Sequence, residues 1–316
     1  MAALRVAIAG AGGIGRHHAK WHAQTGSDVV AVLGRRAEIL PDTTRQLRDL
    51  FGFQGRGYTD FDELLTREQP DIVDICTPNE THFELARRAL DAGCHVLCEK
   101  PLVWASSETV TLTQARAIRE QANARGLHLG MCSQYAASLA QFGKVCSSAE
   151  PSTCTSFESE METLARGQRR DAESIWVDMG PHPLSLILSI WPTARLVEGT
   201  VQAEFAQGTA AASFTVESEG HRCNCRVAVR DRDEGPLTRR FSFGGDSVDL
   251  GGRSDDDGVY RSAMARAGVD DLGDDFMFLL IEQFTRVVLG DEPFPLVSSS
   301  VAVRNLEFQT KILAAT

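Results

Sequence analysis

Three absences narrow the reading of this chain of 316 residues. None of its eight cysteines forms a Cys-x-x-Cys pair, no apolar run approaches the length of a membrane span, and four lysines stand against twenty-eight arginines. Several cysteines sit inside apolar strand-like runs, so they read as buried reduced thiols of a cytoplasmic protein. Cys94-His95-x-x-Cys98 alternates across a strand and no second ligand pair follows it, so no metal is expected. With no membrane-length run there is no candidate spanning helix. The opening MAALRVAIAGAG has no basic region before a cleavable apolar stretch, and VAIAG reads as a strand. A formal net charge of −11 argues against a nucleic-acid surface. The scarcity of lysine draws attention to Lys100, at the end of the apolar run HVLC.

What is present is a globular composition, 43% hydrophobic and 24% charged, on a length that suits two domains. Residues 1–133 alternate between strands and helices. Strands are expected at 4–9, 29–33, 71–76, 95–98 and 127–132, with a short one near 57–59. Helices are expected at 14–24, 41–51, 61–68, 80–92 and 106–124. Buried apolar strands alternating with helices predict a doubly wound parallel sheet, which binds ligands at the carboxyl ends of its strands. Residues 134–316 predict a second α/β domain. It has a strand at 153–162, a helix at 180–191, then alternating strands at 197–205, 210–217, 222–230 and 238–243 that form a mostly antiparallel sheet. The acidic stretch 251–258 reads as a solvated loop. Two helices, 274–289 and 298–315, close the chain.

The first strand runs into Gly10-Ala11-Gly12-Gly13-Ile14-Gly15, a G-x-G-x-x-G pattern at a strand-to-helix junction. Gly10 permits a tight turn, Gly12 lets a pyrophosphate approach the backbone, and Gly15 lets helix and sheet pack closely, with unpaired helical N–H groups facing the phosphates. The second strand ends in Leu33-Gly34-Arg35-Arg36. No carboxylate is there for a ribose 2′-hydroxyl, and two guanidiniums suit a 2′-phosphate, so NADP(H) is expected over NAD(H).

Two further loops fall at strand ends, Thr77-Pro78-Asn79-Glu80-Thr81-His82 and Glu99-Lys100-Pro101, and Asp178-Met179-Gly180-Pro181-His182 precedes an amphipathic helix. In order and spacing these motifs resemble the Gfo/Idh/MocA family, relatives of glucose-fructose oxidoreductase and inositol dehydrogenase. The resemblance implies a Rossmann domain followed by an α/β domain with a large open sheet. It implies catalytic roles for Lys100, Asp178 and His182, and a nicotinamide pocket lined by Thr77, Pro78, Asn79, His82 and Glu99. It also implies pairing into a dimer or tetramer through the second domain's sheet, where Ala211, Ser213 and Thr215 form a small, polar face.

The chemistry is coherent on its own terms. Hydride exchange with a carbinol carbon requires a proton to move at its oxygen, and a lysine can move it where burial and a cationic ring lower its pKa. Proline suits position 181 in a first helical turn, whose positive end favours a neutral imidazole at His182. The sequence leaves Lys100-Pro101 open between cis and trans; a cis bond would aim the ammonium inward. His17, His18 and His22 read as structural or surface residues. Gln134, Tyr135, Arg169 and Trp176 are candidate substrate contacts, and the run 166–170 is either an anion site or a solvated loop. The leading expectation is an NADP-dependent dehydrogenase or reductase of a sugar-like C–OH/C=O pair. Reduction of a C=N bond, and a dinucleotide-sensing regulator without turnover, are the alternatives.

Overall fold

The computed structural model describes residues 3–147, 149–165 and 167–316. The chain divides into two compact units, Met1–Ser133 with Met277–Val303, and Gln134–Phe276 with Arg304–Thr316. A second domain running unbroken from 134 to 316 is therefore corrected: the chain returns to the first unit for residues 277–303.

The first unit alternates as its apolar periodicity predicts: β1 (Arg5–Ala9), α1 (Gly15–Gln24), β2 (Asp28–Leu33), α2 (Leu40–Phe51), β3 (Arg56–Tyr58), α3 (Phe61–Glu68), β4 (Ile72–Ile75), α4 (His82–Asp91), β5 (His95–Glu99), α5 (Glu108–Ala124) and β6 (Leu129–Cys132). All six strands are parallel, in the order β3-β2-β1-β4-β5-β6. This is the Rossmann order. The winding reverses between β1 and β4, and that reversal opens a crevice beyond their carboxyl ends. Helices cover both faces, which is why β1 and β4 are built from small and branched apolar residues that are almost wholly buried. The exception is Asp74, a fully buried carboxylate inside β4. Asp60 caps α3 by accepting the N–H groups of Asp62 and Glu63, and Gly52 ends α2 at φ 80°. The returning segment covers the β6 edge: the Met131 N–H donates to the Val297 carbonyl at 3.0 Å, and a Cβ on Gly130 would lie 3.1 Å from the Phe284 ring.

The second unit contains α6 (Leu139–Val145), β7 (Ser156–Leu164), α7 (Ala172–Met179), α8 (Pro181–Ile190), β8 (Arg195–Leu196), β9 (Gln202–Ala206), β10 (Thr209–Ser218), β11 (His221–Arg232), β12 (Arg239–Phe243), β13 (Asp246–Ser254), β14 (Tyr260–Arg266) and β15 (Val269–Gly273). Helices α9 (Phe276–Leu289) and α10 (Ser299–Leu313) close the chain. The sheet runs β15-β14-β13-β12-β7-β11-β10-β8, with β9 also on β10. Every pairing is antiparallel except β7 with β11. Along β10, Ala210, Ala212, Phe214 and Val216 are buried while Ala211, Ser213 and Thr215 are not, the period of two that a one-sided sheet requires. The stretch 251–258 is corrected: residues 251–254 are strand, and the turn begins only after Ser254. Helix α7 is a second departure from expectation. Among the described residues no helix is long and apolar enough to cross a membrane.

Candidate active site

The glycine loop turns at the carboxyl end of β1. Gly10 has φ 90°, and a Cβ there would meet the Cys76 carbonyl oxygen at 2.8 Å. Gly15 is tighter still, since its Cβ would lie 2.0 Å from the Gly10 carbonyl oxygen. Only hydrogen lets α1 start this close to the sheet. Gly12 is different: a Cβ there would meet nothing within 4 Å. Its surroundings leave room for a ligand to reach the backbone. Helix α1 begins with no side-chain cap and no acidic residue in its first turn, so nothing acidic competes with an anion at its positive end, although the Gly15 and His17 N–H groups already donate to the Gly12 and Ile14 carbonyls. Ile14, the residue before the helix, is exposed.

A cavity of about 880 Å³ lies over this loop. Its walls include Gly10 and Gly12, Leu33 and Arg35 after β2, and Cys76, Thr77 and Pro78 after β4. Arg36 and Asn79 are not among its lining residues, so of the paired arginines only Arg35 faces it. Thr43 and Thr59 add hydroxyls near the Arg35 end, and no carboxylate ends β2. Glycine turn, uncapped helix and guanidinium together fit a phosphate-rich dinucleotide.

His82 is corrected from cofactor contact to strut. Its ring is fully buried, with Nδ1 2.9 Å from the Pro101 carbonyl oxygen and Nε2 2.8 Å from that of Thr77. It ties the loop after β4 to the turn after β5 and presents no edge to a ligand. Thr81 and Thr77 join hydroxyls at 2.7 Å in the same loop. At the end of β5, buried Glu99 accepts the Lys100 N–H through Oε2 at 3.2 Å, and Lys100-Pro101 is cis.

In the second unit Asp178 ends α7 and His182 opens α8, on either side of Gly180. Gly180 must be glycine, because a Cβ would meet the Trp176 carbonyl oxygen at 2.6 Å. Pro181 takes the first helical position, as the sequence predicts. Asp178 is held by Arg170, whose Nη1 donates to Oδ2 at 2.6 Å while Nη2 and Nε donate to Asp231 at 2.8 and 3.2 Å. Hydrogen bonds to Asp231 and then Asp178 push the Arg170 guanidinium further up, so it stays charged. Sequence reasoning missed this anchor. Its signal was an arginine eight residues before the aspartate, on a loop rich in arginines.

Tyr135 packs its ring 5.5 Å from that of His182 and is buried. Burial pushes its phenol up, and its hydroxyl has no partner among the described residues. Gln134 lies half-buried beside it in the same short 3-10 turn. Two other candidates are corrected. Trp176 is fully buried, donates its indole N–H to the Gln309 carbonyl at 3.2 Å and packs on Phe205, so it belongs to the core. Arg169 is exposed and forked onto Asp233 at 3.0 and 2.5 Å. Arg166 lies outside the described residues. Arg169 and Arg170 thus both pair with the protein's own carboxylates.

Residues 4–131 match the model of an oxidoreductase family with an NAD-binding Rossmann fold, Gfo/Idh/MocA. Among curated relatives, 4-carboxy-2-hydroxymuconate-6-semialdehyde dehydrogenase of Sphingobium is 36% identical over 110 residues, 34% of this chain and 33% of its own length. The D-glucoside 3-dehydrogenase of Escherichia coli is 37% identical over 100 residues, 31% of this chain and 27% of its own. The chain thus spans about a third or less of these relatives' length in the matched regions. The solved UDP-N-acetylglucosamine 3-dehydrogenase of Acidithiobacillus ferrooxidans has a TM-score of 0.75 and 24% identity, covering 100% of this chain and 98% of that one; this likeness is one of fold. Residues 4–131, with the glycine turn and strand order described above, thus match the NAD-binding Rossmann fold of the Gfo/Idh/MocA oxidoreductase family.

Proposed function

We propose that the protein is an NADP(H)-dependent oxidoreductase acting on a C–OH/C=O carbon of a sugar-like or polyhydroxylated small molecule. One observation carries the reading: the cavity over the winding reversal has the glycine turn in its lining and Arg35, rather than a carboxylate, after β2. Gly12, Gly13 and Ile14 would hold the pyrophosphate through backbone N–H groups, in a turn whose ends Gly10 and Gly15 shape while donating their own N–H groups to the Leu33 and Gly12 carbonyls. Arg35, with the Thr43 and Thr59 hydroxyls, would take the 2′-phosphate. Thr77, Pro78 and Glu99 would form the nicotinamide side. The bound nicotinamide supplies or accepts the hydride.

The chain's own part is the proton and the substrate. Lys100 carries the proton of the substrate hydroxyl, and its backbone is held by Glu99. In the second unit, Asp178, fixed by Arg170, and His182, at the amino end of α8, bind and polarise a substrate hydroxyl. Tyr135 offers its unpartnered hydroxyl, and Gln134 its amide, to the rest of the substrate. Two names among the similar proteins, D-glucoside 3-dehydrogenase and UDP-N-acetylglucosamine 3-dehydrogenase, support a hexose-like substrate.

Calorimetric titration with NADPH and NADH tests the cofactor. Wild type is expected to bind NADPH at least tenfold tighter, and Arg35→Ala to lose about 1.5–3 kcal/mol of NADPH affinity while NADH changes little. Equal affinities in wild type would contradict the preference. Turnover on methyl β-D-glucoside, UDP-N-acetylglucosamine or a cyclic imine tests the substrate class, and activity confined to the imine would overturn it.

A further inference from the structure

Below the glycine loop a line of polar side chains crosses the apolar interior of the first unit. His22 and His18, one turn apart on α1, both reach Asp74 in β4. His22 Nε2–H and His18 Nδ1–H each donate to Asp74 Oδ2 at 2.9 Å. On the other side of its ring, His18 Nε2 lies 3.3 Å from Glu99 Oε1, an ion-pair separation without hydrogen-bond alignment. Glu99 Oε2 accepts the Lys100 backbone N–H at 3.2 Å. The side chains of His18, His22 and Asp74 are wholly buried.

Packing alone gives no reason for this line. Asp74 stands between Val73 and Ile75, and an apolar side chain there would fill the same space without desolvating a charge. Buried ion pairs are commonly neutral or worse for stability than apolar residues of similar volume. What distinguishes this line is where it ends. It runs from the first helix, through two strands, to the residue whose neighbour is the proton carrier proposed above.

We propose that His18 is a positioning residue: by bridging Asp74 to Glu99 it fixes the Glu99 carboxylate beneath the Lys100 backbone, and so sets the strand end from which the Lys100 ammonium acts. This rests on the function proposed above. The groups facing His18 come from every neighbouring element. They are Asp74 of β4, Cys76 after it, Glu99 at the end of β5, Cys132 at the end of β6, and His22 on its own helix, with the Trp21 ring 5.8 Å away. Burial lowers the His18 pKa, but Cys76 and Asp74 beside it raise it, and the net direction is well up. Burial likewise opposes ionisation of Asp74, yet His18 and then His22 hold it below the usual carboxylate range. Both directions favour an imidazolium beside an ionised Asp74, with Nε2 at ion-pair distance from Glu99.

A metal ion is the competing occupant. His18, Asp74 and Cys132 each offer a ligand atom within 4.8 Å of one another. An ion would need a neutral imidazole and a thiolate. The environment works against both, since burial pushes the Cys132 thiol well up.

The test has a readout that needs no cofactor. In ligand-free protein labelled with ¹⁵N-histidine, the His18 signals should remain those of an imidazolium well above pH 6.5. Titration near pH 6.5, or a stoichiometric metal by elemental analysis, would overturn the proposal. In steady-state kinetics, on whichever of methyl β-D-glucoside and UDP-N-acetylglucosamine wild type oxidises faster, His18→Gln should lower kcat at least tenfold. KM and the calorimetric NADPH affinity should stay within threefold. The kcat pH profile should move upward by at least half a unit, because the positive charge beside Glu99 is then removed. Glu99→Gln, which leaves the His18–Asp74 bond intact, should lower kcat to a similar extent and serves if His18→Gln does not fold. Active wild type with an unchanged kcat and pH profile in both variants would sink this inference alone. Wild type that binds no dinucleotide would sink the functional reading and this inference with it.

Discussion

A buried hydroxyl without a partner costs about 1–3 kcal/mol, so Tyr135 calls for a reason. Phenylalanine would fill the same space beside His182 and Phe241 without that cost. If the hydroxyl serves the substrate, Tyr135→Phe should leave the melting temperature unchanged or raised, and should raise KM several-fold, the worth of one hydrogen bond at about 1 kcal/mol. A lowered melting temperature with unchanged KM would assign Tyr135 to stability instead. Single residues were unevenly legible in the sequence. Gly10 and Gly15 could be read because a known turn demands hydrogen at those places, and the distances to the Cys76 and Gly10 carbonyls bear this out. Trp176 and Arg169 could not, since no periodicity says whether an aromatic or a guanidinium will find its partner in Gln309 or Asp233. The sequence reads His18 and His22 as structural or surface residues. Both are buried, and their link to Asp74, more than fifty residues away, was invisible until β4 was threaded beside β1. A carboxylate inside the apolar run IVDI was the only hint.

At the scale of elements, β5 and β6 are stapled at their starting ends by two histidines. The His95 and His128 rings stack with centroids 5.1 Å apart, and the His128 backbone N–H donates to His95 Nδ1 at 2.9 Å. That nitrogen must stay unprotonated to accept. Burial and then the neighbouring His128 bring the His95 pKa down from 6.5 to about 4. Between those two values the unfolded chain takes up a proton that the native chain refuses, so stability falls as pH falls through this window. Urea midpoints at pH 7, 5.5 and 4.5 should decline less steeply in His95→Gln than in wild type; parallel declines would show that the staple does not matter. Elements with strong periods were readable, and the five long parallel strands and their helices lie within a few residues of expectation. Strands β13 and β15 were not, because Asp, Arg, Ser and Gly dominate them and little of their length is buried, and β14 buries only Ser262, Ala263 and Met264. Helix α7 was hidden because its eight residues run straight into the second helix, with only Gly180 between them.

For the whole molecule, two units built on different principles divide the work. The first is a parallel sheet buried on both faces; the second is a mostly antiparallel sheet with one face left for water or a partner. Ala211, Ser213 and Thr215 on β10 are flanked on β11 by exposed Arg222, Asn224 and Arg226. We propose that this face pairs two copies of the chain, and light scattering at micromolar concentration should give twice or four times the 34.4 kDa of one chain. A single-chain mass would rule this out. The account as a whole turns on Lys100, and one experiment reaches it most directly: turnover of Lys100→Ala on the best substrate, with NADPH affinity measured on the same sample. A proton carrier of this kind is worth about 10²–10⁴ in rate. The variant should bind NADPH within threefold of wild type and lose at least a hundredfold in kcat. If it turns over like wild type, the proton moves elsewhere and the site proposed here is wrong.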